Sequence, residues 1–269
     1  MDIYILVIVI YIFNVYLFKW IPMFRKIYNY YSNVILKGNI LPFYYRFLRS
    51  TFKLFGIFAK ATLSQSAEDI IIEKILKDAK KNKGIFVDVG CNHPIEYNNT
   101  YLLYLRGKRG INIDGNADLI KLYSKYRNSD TNLNYLISDK EEEVVFNLSH
   151  KDKISTIHFD EIDEGNEKQF PTYLRTKMTT KTLNTILIEN NIVGAGEIDL
   201  LCIDVENHDF EVISSIDLNK YQPYLVVIEI LNLDINNPTA NKTYNLLYQN
   251  GYKLKHFVFS NGFFIREQA

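Results

Sequence analysis

The sequence predicts an α/β protein built on a Rossmann-like, doubly wound, mostly parallel sheet, with helices before it and an antiparallel hairpin closing it. Three observations carry that prediction. Two short apolar runs, 84–90 and 110–115, contain strand-forming residues and reach carboxylates, Asp88 and Asp114, 26 residues apart. From residue 64 onward, strand-like runs alternate with helical stretches, as they do in a parallel sheet with crossover helices. Residues 1–63 have another texture, first apolar and then basic and aromatic. A chain of 269 residues has room for one large α/β domain and an appendage.

The first element is the run from Ile3 to Phe18, apolar or aromatic apart from Asn14. As a helix it spans about 24 Å. Extension through Trp20 to Ile21 brings 3–21 toward a bilayer core of about 30 Å. No basic residue precedes the run and no small-residue cleavage site follows it, which argues for an anchor rather than a cleaved signal. Lys19, Arg25, Lys26 and Lys37 come after it, so the bulk of the chain is expected on the cytoplasmic side. Over 42–63 a helix would gather Arg46, Arg49, Lys53 and Lys60 on one face, with Phe43, Phe47, Leu48, Leu54, Phe55 and Phe58 over the rest. That is the pattern of a basic amphipathic helix on an anionic membrane, and equally of a packed helix with a solvated edge. Residues 1–63 are therefore expected to form a membrane-associating module, and 64–269 the functional domain.

Within 64–269 the spacing predicts a helix over 66–80 and strands at 85–90, 110–115 and 134–139. The last of these is expected to pair with a strand at 143–148 across a charged turn. Residues 149–177 mix charges without period and suggest a lid or loop. A helix at 181–190, strands at 198–205 and 223–230, and a helix at 240–250 follow. A hairpin over 253–266, turning at Asn261-Gly262, ends the domain.

Composition excludes some functions. Formal charge is zero and no basic, aromatic-interleaved stripe occurs in the C-terminal two thirds, which argues against nucleic acid as a partner. The two cysteines, Cys91 and Cys202, read as small buried side chains in a reducing compartment, and no Cys/His metal spacing exists.

The strand ends carry the chemistry. A glycine turn such as Asp88-Val89-Gly90 lets backbone approach a ligand, and an acid ending the next strand, Asp114, can accept from ribose hydroxyls. Asn92, His93 and Pro94 stand where a dinucleotide turn has further glycines. S-adenosylmethionine has no pyrophosphate to cradle, so this spacing favours it. Asp139, after Ser138, lies where such folds meet adenine, although it also opens the Lys140-Glu141-Glu142 turn. The run 198–209 ends in Asp204 and Glu206, followed by His208 and Asp209. In a doubly wound sheet it lies beside the first strand, where a carboxylate can deprotonate or orient a hydroxyl nucleophile. A capping role for Asp204 fits the same pattern, and a divalent-metal site is the weaker reading of the cluster. Four strand-end acids, Asp88, Asp114, Asp204 and Glu229, converge on one sheet edge, which argues for a site.

These residues resemble the FkbM-type family of S-adenosylmethionine-dependent methyltransferases over 64–266. The matching pieces run from Ser64-Gln65-Ser66-Ala67-Glu68-Asp69 through Phe86-Val87-Asp88-Val89-Gly90-Cys91-Asn92-His93-Pro94 and Asn98-Asn99-Thr100-Tyr101. Gly110-Ile111-Asn112-Ile113-Asp114, Thr180-Lys181-Thr182-Leu183-Asn184 and Ile203-Asp204-Val205-Glu206 complete them. The resemblance implies O-methylation of a sugar or polyketide-type hydroxyl. It implies that Gln65, Glu68, Asp88, Gly90, Asn99, Thr100, Asp114 and Asp139 line the cofactor side, and that Asp204, Glu206 and His93 face the acceptor. The chain departs from the family pattern at Asn207, where glycine is usual, and at Lys108, where tryptophan is common. The expectation is a membrane-anchored, metal-independent O-methyltransferase of a small-molecule or glycan hydroxyl. Its rival is a catalytically silent Rossmann-like scaffold module in a membrane-associated glycan-assembly complex.

Overall fold

The computed structural model describes residues 62–148, 156–158 and 174–267. Contacts divide the chain into two units, residues 1–59 and 60–269, and the described residues belong to the second. The expected anchor at 3–21 and nearly all of the 42–63 helix lie outside the described residues. Among those described, no helix is long and apolar enough to cross a membrane. The last two residues assigned to the 42–63 helix, Thr62 and Leu63, are not helical. Asp69 takes them instead, accepting from the Leu63 amide at 2.8 Å and the Thr62 hydroxyl at 2.7 Å.

That carboxylate stands in the first turn of α1 (Glu68–Asp78), which leads into β1 (Ile85–Val89). α2 (Tyr101–Leu105), β2 (Gly110–Ile113), α3 (Ala117–Tyr126) and β3 (Thr131–Leu133) follow. After an excursion come α4 (Leu183–Glu189), β8 (Ile198–Ile203), α5 (Asp209–Ser214), α6 (Leu218–Tyr221) and β9 (Leu225–Glu229). α7 (Lys242–Gln249) and the hairpin of β10 (Tyr252–Val258) and β11 (Asn261–Arg266) end the chain. Sequence pattern did not reveal α2, α3, α5 or α6. α3 is capped by Asn116, whose side chain accepts from the amides of Asp118 and Leu119.

The main sheet has the order β10-β11-β9-β8-β1-β2-β3, with β11 antiparallel to both neighbours and the others parallel. The order reverses at β1, which lies between β2 and β8, so loops leaving the carboxyl ends of these strands part and leave a crevice. Helices cover both faces, which explains why β8 is apolar without interruption from Leu200 to Ile203. Val87, Leu201, Val226 and Phe264 pack on one side; Phe86, Leu200, Val227 and Phe263 pack with Ile72 and Leu76 on the other. Asp88 alternates with Val87 and so shares the Phe86 face.

Four expectations are corrected. The strand expected at 134–139 is split. Thr131–Leu133 joins the main sheet, whereas β4 (Leu136–Ile137) pairs with β7 (Leu174–Lys181) in a second, four-stranded sheet. β5 (Glu143–Leu148) pairs with β7 and with β6 (Thr156–His158), not with 134–139. Asn134 explains the break, because its side-chain amide bonds the carbonyls of Asp114 and Gly115, both at 2.9 Å, in place of a strand ladder. β6 and the start of β7 occupy part of the segment expected to be a loop. The hairpin turns at Phe259-Ser260, not at Asn261-Gly262, and Phe259 takes φ 53°. Gly262 is demanded by packing instead, since a Cβ there would meet the Phe264 ring at 2.7 Å.

Candidate active site

The crevice at the β1–β8 switch point is lined by Gln65, Asp88, Gly90, Asn99, Asp114, Asp204 and Glu206 among the residues singled out from sequence. Each stands at or just beyond a strand end, apart from Gln65 before α1 and Asn99 before α2. Gly90 takes φ 75°, and a Cβ there would lie 1.8 Å from the Asp204 carbonyl oxygen. The glycine thus lets the ends of β1 and β8 touch, an approach that the Asp204 amide seals by donating to Val89 O at 3.0 Å.

Asp114 is held from two sides. Its Oδ2 accepts from the Asn92 amide at 2.9 Å and its Oδ1 from the Asn116 amide at 2.7 Å. Burial pushes its pKa up to about 6 against those two bonds, and the charge on Asp88 adds to the rise. Asn92 takes φ 48° and carries a buried Oδ1 without a partner among the described residues. Beside these polar groups lies an apolar wall of Leu119, Tyr135, Leu136, Ile137 and Phe146. Gly115 keeps that wall close, since a Cβ would meet Leu136 at 2.4 Å and Phe146 at 2.9 Å.

Asp204, just past β8, has no side-chain hydrogen bond among the described residues. Burial raises its pKa well above the usual carboxylate range, helped by Glu229, Asp209, Glu206 and Asp88. Glu206, more exposed, is raised by burial and by Glu229. Asp209 accepts from the Val205 amide at 3.0 Å, yet burial drives it up to about 7. Glu229 ends β9 on the same edge and accepts from the Ser260 hydroxyl at 2.9 Å. Glu206 and Asn207 take φ 55° and 75°, so asparagine keeps the turn where glycine is usual. Lys108, at the usual tryptophan position, bridges Asp199 at 2.5 Å and the Gly84 carbonyl at 3.1 Å, at the opposite end of the sheet.

Four expected residues lie outside the crevice lining. Thr100 is fully buried and donates to Asp88 Oδ2 at 2.6 Å, behind the site. Glu68 accepts from the Ser66 amide at 2.7 Å at the start of α1. Asp139 is exposed. His93 uses Nδ1 to accept from the Ile95 and Glu96 amides, at 3.3 and 3.0 Å, inside its own turn. His208 Nε2 lies 3.0 Å from the Ser138 hydroxyl, and burial lowers its pKa. Sequence reading missed Asn92 as a lining residue and the whole apolar wall. Apolar residues in short loops and in a second sheet carry no local signal of a ligand. Among the described residues no group of three or more His, Cys, Asp or Glu side chains is placed to hold a metal.

No curated protein and no solved structure matches the chain. The model of one family, described as the methyltransferase FkbM domain, matches residues 88–254, more than half of the chain. The match opens on Asp88, takes in every crevice-lining residue but Gln65 and reaches β10. The chain belongs to the FkbM methyltransferase domain family.

Proposed function

We propose that the protein is an S-adenosylmethionine-dependent O-methyltransferase acting on a hydroxyl acceptor such as a sugar. One observation carries this reading. The acids Asp88 and Asp114, the glycine turn and the unbonded carboxylate of Asp204 line one crevice. The residues fit such a donor. Asp114, fixed by two amides, accepts from ribose hydroxyls; the orphaned Asn92 Oδ1 offers a further acceptor; Leu119, Tyr135, Leu136, Ile137 and Phe146 suit a flat base. The bound donor supplies an electrophilic methyl group. The chain orients the acceptor oxygen and removes its proton, and Asp204 is the assigned base, with Glu206 beside it. A carboxylate with a raised pKa holds such a proton well near neutral pH.

Calorimetry on the full-length chain tests the donor. S-adenosylmethionine and its demethylated product should both bind, and Asp114→Ala should weaken binding by about 1–3 kcal/mol. Binding of NAD with none of the methyl donor would overturn the reading. The composition of residues 1–63 further supports a membrane-associated protein with its catalytic domain in the cytoplasm. Full-length protein should sediment with membranes at high salt. Removal of residues 1–24 should leave only salt-sensitive attachment through Arg46, Arg49, Lys53 and Lys60. Recovery of the full-length chain wholly in the supernatant would contradict that placement.

A further inference from the structure

Arg127, the residue after α3, is completely buried, a setting that guanidinium groups occupy only when paired. Its Nε donates to Asp130 Oδ2 at 3.0 Å. Its Nη1 donates to Asn98 Oδ1 at 3.1 Å and to Thr100 Oγ1 at 3.0 Å. The rings of Phe86, Tyr104 and Tyr123 surround it at 5.2, 5.3 and 5.1 Å. Stability alone does not call for this arrangement, because apolar residues of similar volume often serve a core as well as a buried ion pair does.

What the guanidinium reaches is the floor of the crevice. It can only donate, so Thr100 Oγ1 must accept from it, and the Thr100 proton is left for another acceptor. Asp88 Oδ2 at 2.6 Å is nearer than Asn98 Oδ1 at 3.1 Å. Asn98, held by the same Nη1, donates from Nδ2 to the carbonyls of Cys91 at 3.0 Å and His93 at 3.2 Å. One cation therefore fixes both the carboxylate of β1 and the turn after Gly90. It also faces two buried acids, of which only Asp130 pairs with it directly. Asp88 reaches the cation only through Thr100, and it lines the crevice.

We propose that Arg127 is a positioning residue of the donor site, holding Asp88 oriented and ionised through Thr100 so that Asp88 accepts from a donor group of the bound methyl donor. The inference rests on the S-adenosylmethionine reading above. Burial pushes the Asp88 carboxyl up, while the Thr100 bond and the Arg127 charge pull it down. The other groups facing Asp88 are Cys202 from β8, which lowers it, and Asp130 before β3, which raises it. Asp114, Asp204, Cys91 and Tyr123 also sense its charge.

The test is titration of full-length Arg127→Gln with S-adenosylmethionine between about pH 5 and pH 9, a range spanning the carboxylates and histidine. The Kd at neutral pH should rise about tenfold to a hundredfold, as for a lost charge-assisted bond. The midpoint of the pH dependence should move upward. Arg127→Lys should restore the midpoint but not the full affinity, because an ammonium lacks the guanidinium fork. A folded Arg127→Gln protein with wild-type Kd and midpoint, changed only in melting temperature, would overturn the proposal. Should that variant not fold, Thr100→Val cuts the same relay at nearly constant volume. Weaker binding with a raised midpoint then supports the inference, and wild-type binding overturns it. If the unmodified protein binds no S-adenosylmethionine, the donor reading fails first and takes this inference with it.

Discussion

Asp204 stands in a position that packing alone does not explain: its carboxylate faces the crevice, lacks a side-chain partner among the described residues, and is crowded by Glu229, Asp209 and Glu206. Asp204→Asn keeps shape and polarity but removes the base that the proposed mechanism requires. Turnover should fall about 100-fold or more while methyl-donor affinity stays near wild type. Near-normal turnover would remove Asp204 from the mechanism. Asp114 gives a second expectation at this scale. With a pKa raised to about 6, mainly by burial, it is ionised above that pH and accepts most strongly there. Donor affinity should therefore weaken as pH falls through about 6, and Asp114→Asn should flatten that dependence; an unchanged pH curve in the variant would exclude Asp114. The acids of the site were legible in sequence because each ends or follows an apolar run, and an unneutralised charge at that place is a strong local signal. Arg127 was not legible. Its partners lie at 98, 100 and 130, and only the fold brings them around one guanidinium.

At the scale of elements, the loop after β8 holds two strained residues in succession. Glu206 and Asn207 are consecutive left-handed residues, a conformation that costs side-chain-bearing residues roughly 1–2 kcal/mol each, less for asparagine. Asn207→Gly should fold with an equal or higher melting temperature, whereas Asn207→Val should lose about 1–2 kcal/mol. A valine variant as stable as wild type would show that the loop does not hold this conformation in solution. The buried parallel strands at 85–89, 110–113, 198–203 and 225–229 were readable because apolar runs between turns have few alternative homes. The excursion between β3 and α4 was not, because its pairing is set by distant partners. Glu143 faces Thr179, and Leu136 faces Thr180, across more than thirty residues of chain. The hairpin shows a competing principle at work. An Asn-Gly dipeptide usually marks the turn itself, but here the Ser260 carbonyl accepts from the Ile230 amide at 2.7 Å and fixes the turn two residues earlier.

For the whole molecule, folding raises the pKa of six carboxylates: Asp88, Asp114, Asp204, Glu206 and Asp209 at the carboxyl edge of the sheet, and Asp130 before β3. A carboxyl whose pKa is higher in the folded state holds its proton there while the unfolded chain has released it. The stability it contributes is complete below the unfolded value near 3.8 and is lost as pH rises through the folded value, about 6 for Asp114 and about 7 for Asp209. Burial of His208 lowers its pKa and works in the opposite direction, but as a single group against six. Asp78, Glu141 and Glu267 are lowered too, but their salt bridges and hydrogen bonds lie in solvent and are screened. Stability should therefore fall between about pH 4 and pH 7 by a few kcal/mol. Thermal unfolding of the full-length chain should show a melting temperature at least about 5 °C higher at pH 5.5 than at pH 8. Asp209→Asn, which retains an acceptor for the Val205 amide, should narrow that gap by removing a titration at about 7. An equal or higher melting temperature at pH 8 would mean that the acids share compensating charge when no ligand is bound. It would also remove the electrostatic ground for treating this edge as a site held ready for a cationic methyl donor.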